Sequence, residues 1–228
     1  MEMMRDPTSS AVEKQVYVTV SRESKETKIQ IELGLFPGPS AIASGLGFLD
    51  HLLNSLAHHA GWSLSLTCKG DLEIDDHHSA EDCAITLGVA LREAVASRGA
   101  IKRFGYAYAP LDESLARAVV DISGRPWCEA ELGLEREMIG DLASENVAHF
   151  LSSFAFNAGI TLHVDVLRGS NDHHKAEAAF KALALALREA LIPTLLPTEA
   201  VPGSPNSTKG AAQITISRRG KATRGVEA

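Results

Sequence analysis

Apolar and polar residues alternate at Val16, Val18 and Val20, at Ile29, Ile31 and Leu33, and at Leu64, Leu66 and Cys68. A period of two sets one face of each segment against a core, so these segments read as strands. The spacing then changes: 47–60 and 79–97 carry apolar residues three and four apart, as helices with one buried face require. The order recurs later in the chain. Val119, Val120 and Ile122, then Cys128, Ala130, Leu132 and Leu134, then Ile160, Leu162, Val164 and Val166 read as strands, and 143–158 and 174–193 as helices. Each half is expected to be a β-β-α-β-α unit of the α+β class, its helices covering one face of a small sheet. Two such units should pack about a pseudo-twofold axis.

The residues repeat as well as the pattern. His51-Leu52-Leu53-Asn54-Ser55-Leu56-Ala57 followed by Ala60-Gly61 matches His149-Phe150-Leu151-Ser152-Ser153-Phe154-Ala155 followed by Ala158-Gly159, at an offset of 98. His77, His78, Ala80 and Glu81 match His173, His174, Ala176 and Glu177 at an offset of 96, which also superposes Ala90-Leu91-Arg92-Glu93-Ala94 on Ala186-Leu187-Arg188-Glu189-Ala190. Ordered matches of this kind mark a duplicated chain. The expected organisation is an N-terminal tail at 1–14, a first half-repeat at 15–100, a second at 101–200 and a flexible basic tail at 201–228. The join falls near Ser97 to Pro110, where Arg98-Gly99, Gly105 and Pro110 interrupt the periodic pattern.

Composition narrows the function. The 228 residues, 45% of them hydrophobic, suffice for a sizeable core, and a net charge of −7 argues against a general nucleic-acid binder. Cys68, Cys83 and Cys128 are far apart and form no Cys-x-x-Cys pair, so neither a zinc ribbon nor a disulfide framework is indicated. Residues 1–10 are polar, and the most apolar later stretch is broken by Lys181, Arg188, Glu189 and Pro193. A cytoplasmic protein without membrane spans is expected.

The paired histidines carry the chemistry. Asp76 or Ser79 is expected to cap the helix beginning near residue 79, and Asp172 the matching helix, which puts both His-His pairs at helix N-termini. Capping alone would account for Asp76 and Asp172, but not for two His-His-x-x-Glu runs. Neighbouring helical residues diverge by about 100°, so His77 and His78 are badly placed to chelate one ion together, as are His173 and His174. Glu81 and Glu177 lie three and four residues beyond their histidines and can share a helix face with one of them. With His51 and His149 the set is six histidines and two glutamates, enough for two ions with four protein ligands each. Imidazole and carboxylate together suit manganese, iron, cobalt or zinc.

Several motifs together resemble the imidazoleglycerol-phosphate dehydratases of histidine biosynthesis. They are Lys25-Glu26-Thr27, Gly47-Phe48-Leu49-Asp50-His51, the first Asp-His-His-x-x-Glu-Asp, Arg103-Phe104-Gly105, Ser123-Gly124-Arg125-Pro126 and the second His-His-Lys-x-Glu-Ala. The resemblance implies a fold similar to the second domain of a small-subunit ribosomal protein. It also implies a homo-oligomer of twenty-four subunits with shared active sites, and two manganese ions per site held by His51, His77, His78, Glu81, His149, His173, His174 and Glu177. For the small phosphorylated imidazole substrate it implies phosphate contacts from Arg103, Arg125 and Lys181, with Ser207 and Lys209 in the C-terminal tail. His58 and His59 face Phe156 and Asn157 in the repeat, so His59 is read as a substrate contact rather than a ligand.

The family reaction dehydrates D-erythro-imidazoleglycerol phosphate to imidazole-acetol phosphate. The hydrogen lost sits on a carbon with no neighbouring carbonyl, so no ordinary enolate can form. Metal ions on both ring nitrogens would favour the imidazolate, whose electrons expel the hydroxyl to give a diazafulvene-like intermediate. Glu26 is then the first acid/base candidate, with Glu177 assisting. Two rivals share these residues: a two-metal hydrolase, which would release phosphate, and a binding module whose ions only join subunits.

Overall fold

The computed structural model describes residues 16–194. The expected tails at 1–14 and 201–228, with Ser207 and Lys209, lie outside the described residues.

The first half runs β1 (Tyr17–Glu23), β2 (Thr27–Gly34), β3 (Ser40–Ala43), α1 (Gly47–Ala60), β4 (Ser63–Gly70) and α2 (His77–Ala96). The second runs β5 (Phe104–Leu111), β6 (Ser114–Asp121), β7 (Trp127–Glu131), a small hairpin of β8 (Met138–Ile139) and β9 (Leu142–Ala143), α3 (Ser144–Ala158), β10 (Thr161–Arg168) and α4 (Asp172–Ala190). The two main sheets have matching orders, β1-β2-β4-β3 and β5-β6-β10-β7. In each, the last pair is parallel and the others antiparallel. The duplicated α+β unit is thus present, with one strand more in each main sheet than the periodicity discloses, besides the β8–β9 hairpin.

The two extra strands escape a hydrophobic count for different reasons. β3 is four residues long, with only Ile42 partly buried. In β5 the usual pattern is inverted: Gly105 and Ala109 are buried while Phe104, Tyr106 and Tyr108 face outward. The inward side must be small because α4 runs directly over it. A Cβ built on Gly105 would lie 2.0 Å from the Ala186 carbonyl oxygen. Pro110 costs β5 little, because β5 is an edge strand and its outward N–H positions need no ladder partner.

The helices occupy the space between the sheets, and they pair across the halves. α1 packs on α4, and α2 on α3. α2 also lies on β1 and β2, and α4 on β5 and β6. In α1 the spacing of Leu49, Leu52, Leu53 and Leu56 buries all four side chains completely, each contributing about 2 kcal/mol of transfer free energy. α1 and α3 end at Gly61 and Gly159, both in the left-handed region that glycine adopts without strain. Where α2 crosses α3, Gly88 admits the α3 backbone: a Cβ there would come within 2.6 Å of the Phe154 carbonyl oxygen.

Both histidine-bearing helices start two residues earlier than the pattern suggests, and they are capped differently. Asp75 Oδ1 accepts the His77 N–H at 2.9 Å, and Asn171 Oδ1 accepts the His173 N–H at 2.9 Å. Ser79 lies inside the helix. Asp76 instead accepts the Ala143 N–H at the start of α3, and Asp172 accepts the N–H groups of Glu135 and Arg136 while pairing with Lys175. The carboxylates expected to cap therefore tie distant loops to the histidine pairs.

Candidate metal centre

Two clusters of imidazole and carboxylate form where the helices of opposite halves meet. One joins His51 of α1 to His173 and Glu177 of α4; the other joins His149 of α3 to His77 and Glu81 of α2. Glu177 lies 3.0 Å from His51 Nε2 and 3.3 Å from His173 Nε2. Glu81 lies 3.1 Å from His149 Nε2 and 3.9 Å from His77 Nε2. Each half supplies the His-x-x-x-Glu pair of one cluster and the single histidine of the other. Neither half alone builds a cluster, and the cross-packing of α1 on α4 and α2 on α3 brings the parts together.

The clusters are not copies in every respect. His77 Nδ1 meets Asn146 Oδ1 at 3.2 Å, and Asn146 is buried on α3. At the equivalent position of α1 stands Phe48, whose ring centroid lies 5.0 Å from that of His173. Glu177 also pairs with Lys181 at 2.7 Å. Burial pushes the Glu177 carboxyl up, but the Lys181 ammonium and His51 pull it down further, to about 2. It is a carboxylate, an acceptor only, at any ordinary pH.

The second histidine of each pair belongs to neither cluster. The His78 ring sits at 75° to that of His77, and the His174 ring at 89° to that of His173. His78 Nδ1 contacts Asp71 at 3.0 Å, and its Nε2 is 3.8 Å from Glu26. His174 Nδ1 contacts Glu113 at 2.8 Å, and its Nε2 is 3.9 Å from Asp112. Hydrogen bonds donated to Asp71 and Glu113 raise the affinity of both rings for protons.

Among the other sequence candidates, Arg103 and Arg125 meet at one carboxylate. Arg103 is buried and donates Nε and Nη2 to the two oxygens of Asp121 at 2.6 and 3.0 Å. Its backbone, at a φ of 73°, donates its N–H to the Ala190 carbonyl at the end of α4. Arg125 is exposed, with Nη2 3.9 Å from Asp121. Lys181 lies nine residues earlier on α4 than Ala190, about 13 Å of helix rise. His59, in the last turn of α1, holds its proton less tightly than usual because it is partly buried and has His58 and Lys181 as neighbours. Sequence reasoning missed Asp71, Glu113, Asn146 and Asp121, since each is an ordinary polar residue until the fold sets it against a histidine or arginine.

Fold and site together define a duplicated α+β protein with two His-Glu clusters that could each hold a metal ion. The family model for imidazoleglycerol-phosphate dehydratase matches residues 44–187. The imidazoleglycerol-phosphate dehydratase of Saccharomyces cerevisiae is 51% identical over 216 residues, covering 84% of this chain and 96% of that protein. That of Candida glabrata is 54% identical over 194 residues, covering 77% and 92%. The crystal structure of the Staphylococcus aureus enzyme superposes with a TM-score of 0.72 at 38% identity, covering 78% of this chain and all of the other. The chain belongs to the imidazoleglycerol-phosphate dehydratase family, the hydro-lyases that act in histidine biosynthesis. No helix among the described residues is long and apolar enough to cross a membrane.

Proposed function

We propose that the chain dehydrates imidazoleglycerol phosphate to imidazole-acetol phosphate at a pair of manganese ions, each held first by side chains from both halves of one chain. His51, His173 and Glu177 would hold one ion and His77, Glu81 and His149 the other. The crossing of the halves carries this reading, because it twice assembles two imidazoles and one carboxylate with ligand atoms within 4.8 Å of one another. Atoms bound at about 2.1 Å to a common ion lie at most about 4.2 Å apart, so each cluster needs only slight closure. Three ligands leave coordination positions open. His78 and His174, whose Nε2 atoms sit apart from these clusters, would complete the sets of neighbouring copies in a homo-oligomer of twenty-four subunits, in the cytoplasm.

When bound, the ions supply Lewis acidity that eases deprotonation of the substrate's imidazole. The chain's own residues bind, orient and move protons. Glu26 stands on the turn between β1 and β2, half exposed and 3.8 Å from His78 Nε2, where it can take the proton from the side-chain carbon and return one to the enol product. Glu177, held ionised by Lys181 and His51, would help hold its ion and could assist Glu26 as a base, passing on each proton it takes. Arg103 and Arg125 set two guanidinium groups against the single carboxylate of Asp121. Planar donor forks of this kind suit a phosphate. Lys181, Ser207 and Lys209 are the further phosphate contacts proposed, Lys181 from a neighbouring copy, since in its own chain it stands about 13 Å along α4 from Ala190. His59 meets the substrate as a neutral imidazole.

The test is direct. Full-length protein with manganese and imidazoleglycerol phosphate should form imidazole-acetol phosphate without releasing inorganic phosphate; phosphate release would point to a two-metal hydrolase. In the same assay Glu26→Gln should lower kcat by about a hundredfold or more while KM stays within a few-fold. Near-normal turnover would remove Glu26 from the mechanism.

A further inference from the structure

His78 and His174 occupy equivalent positions, but the carboxylates that grip their Nδ1 atoms do not. Asp71 belongs to the loop between β4 and α2, whereas Glu113 belongs to the turn between β5 and β6. The β4 and β10 strands align at an offset of 98 and the histidine pairs at 96, which set Gly169 or Leu167 opposite Asp71. Neither is acidic. In the other direction, Glu113 immediately precedes the buried Ser114 that opens β6, as Glu26 precedes the buried Thr27 that opens β2. Glu26 faces the opposite nitrogen of its histidine, at 3.8 Å from Nε2. Duplication therefore explains the histidines and does not explain their carboxylates. The same contact has been built twice from different parts of the fold.

We infer that Asp71 and Glu113 are positioning residues that fix His78 and His174 with Nδ1 protonated and Nε2 presented as the metal ligand. This rests on the reading that these histidines complete metal sites in neighbouring copies. A carboxylate accepting from Nδ1–H pins the tautomer and the ring orientation, leaving the lone pair on Nε2. Nε2 is also the nitrogen that His51, His77, His149 and His173 direct at their glutamates, so all six rings then ligate through the same atom. Glu113 does more than hold the ring: the same side chain accepts the Ser170 and Asn171 N–H groups at 3.2 and 2.8 Å, tying the entry of α4 to the β5–β6 turn. Asp71, among the described residues, hydrogen-bonds through its carboxylate only to His78. The inference also separates two equivalent glutamates by task. Glu26 remains beside Nε2, where an ion and substrate would lie, while Glu113 is committed to orienting a ligand.

Asp71 gives the cleaner test, because its removal disturbs one contact. Full-length protein loaded with manganese would be dialysed against a graded series of chelator, and bound manganese per chain measured by atomic emission. Asp71→Ala should weaken retention by about ten- to a hundredfold, Asp71→Asn by less, and His78→Ala by at least as much as Asp71→Ala. Adding Asp71→Ala to His78→Ala should change nothing further, since the carboxylate acts only through the ring. Thermal unfolding of the metal-free Asp71→Ala protein should match the parent. If His78→Ala retains manganese like the parent, the underlying ligand reading fails. If His78→Ala loses it while Asp71→Ala does not, or if the two losses add in the double variant, the positioning role is overturned. A lowered melting point with unchanged manganese retention would make Asp71 a structural residue and overturn it as well.

Discussion

His77→Ala and His173→Ala are each expected to lower bound manganese from two ions per chain to one and to cut kcat roughly a thousandfold, the scale of several kcal/mol of lost electrostatic stabilisation. Each variant takes one imidazole from a three-member cluster: His77 leaves Glu81 and His149, and His173 leaves His51 and Glu177. The two should differ in their side effects. Without His173, Glu177 keeps Lys181 at 2.7 Å and His51 at 3.0 Å, so its charge stays compensated. Without His77, Asn146 loses the ring it contacts and becomes a buried amide short of a partner, which costs about 1–3 kcal/mol. His77→Ala should therefore melt earlier than His173→Ala even when both are metal-free. Atomic emission gives the stoichiometry, and light scattering reports whether the larger assembly survives. Two ions retained in either variant would contradict the assignment.

Gly105→Ala should be the most damaging glycine-to-alanine change among the described residues. The added Cβ would stand 2.0 Å from the Ala186 oxygen and 2.7 Å from the Ala190 nitrogen, both backbone atoms of α4. A flexible side chain could swing aside, but a helix backbone cannot, so α4 must lift away from β5. Overpacking of this kind costs about 3 kcal/mol or more, and the melting temperature should fall by about ten degrees. The displacement also reaches the site, because α4 carries His173 and Glu177, and Arg103 donates its N–H to Ala190. Metal retention should fall with stability. Gly99→Ala is the control: nothing lies within 4 Å of its Cβ position, and it should behave like the parent.

The duplication made much of the fold readable from sequence. Four helices showed as three-and-four spacing because each buries a broad stripe, and the offsets of 98 and 96 tied them into two halves. β5 stayed hidden because its buried side is Gly105 and Ala109 and its aromatic residues point outward, the reverse of what a hydrophobic count rewards. That the two histidines of each pair point apart was legible because a helix turns about 100° per residue, and the His77 and His78 rings stand at 75° to each other. Which elements would meet was not legible. His51 joins Glu177 across 126 residues and His149 joins Glu81 across 68, and only the packing of α1 on α4 and α2 on α3 pairs them. Asp76 and Asp172 looked like caps because they stand beside helix starts, yet Asp75 and Asn171, one residue earlier in each half, hold the His77 and His173 N–H groups. Local sequence cannot rank neighbouring acceptors whose choice is settled by distant loops such as Ala143 and Glu135.

The central claim is that each metal centre is built from both halves of one chain. Crystals of the full-length protein grown with manganese, measured on both sides of the manganese absorption edge, test it most directly. The account predicts two anomalous peaks per chain, one among His51, His173 and Glu177 and one among His77, Glu81 and His149. A peak confined to residues of a single half, or no peak at either cluster, would contradict it.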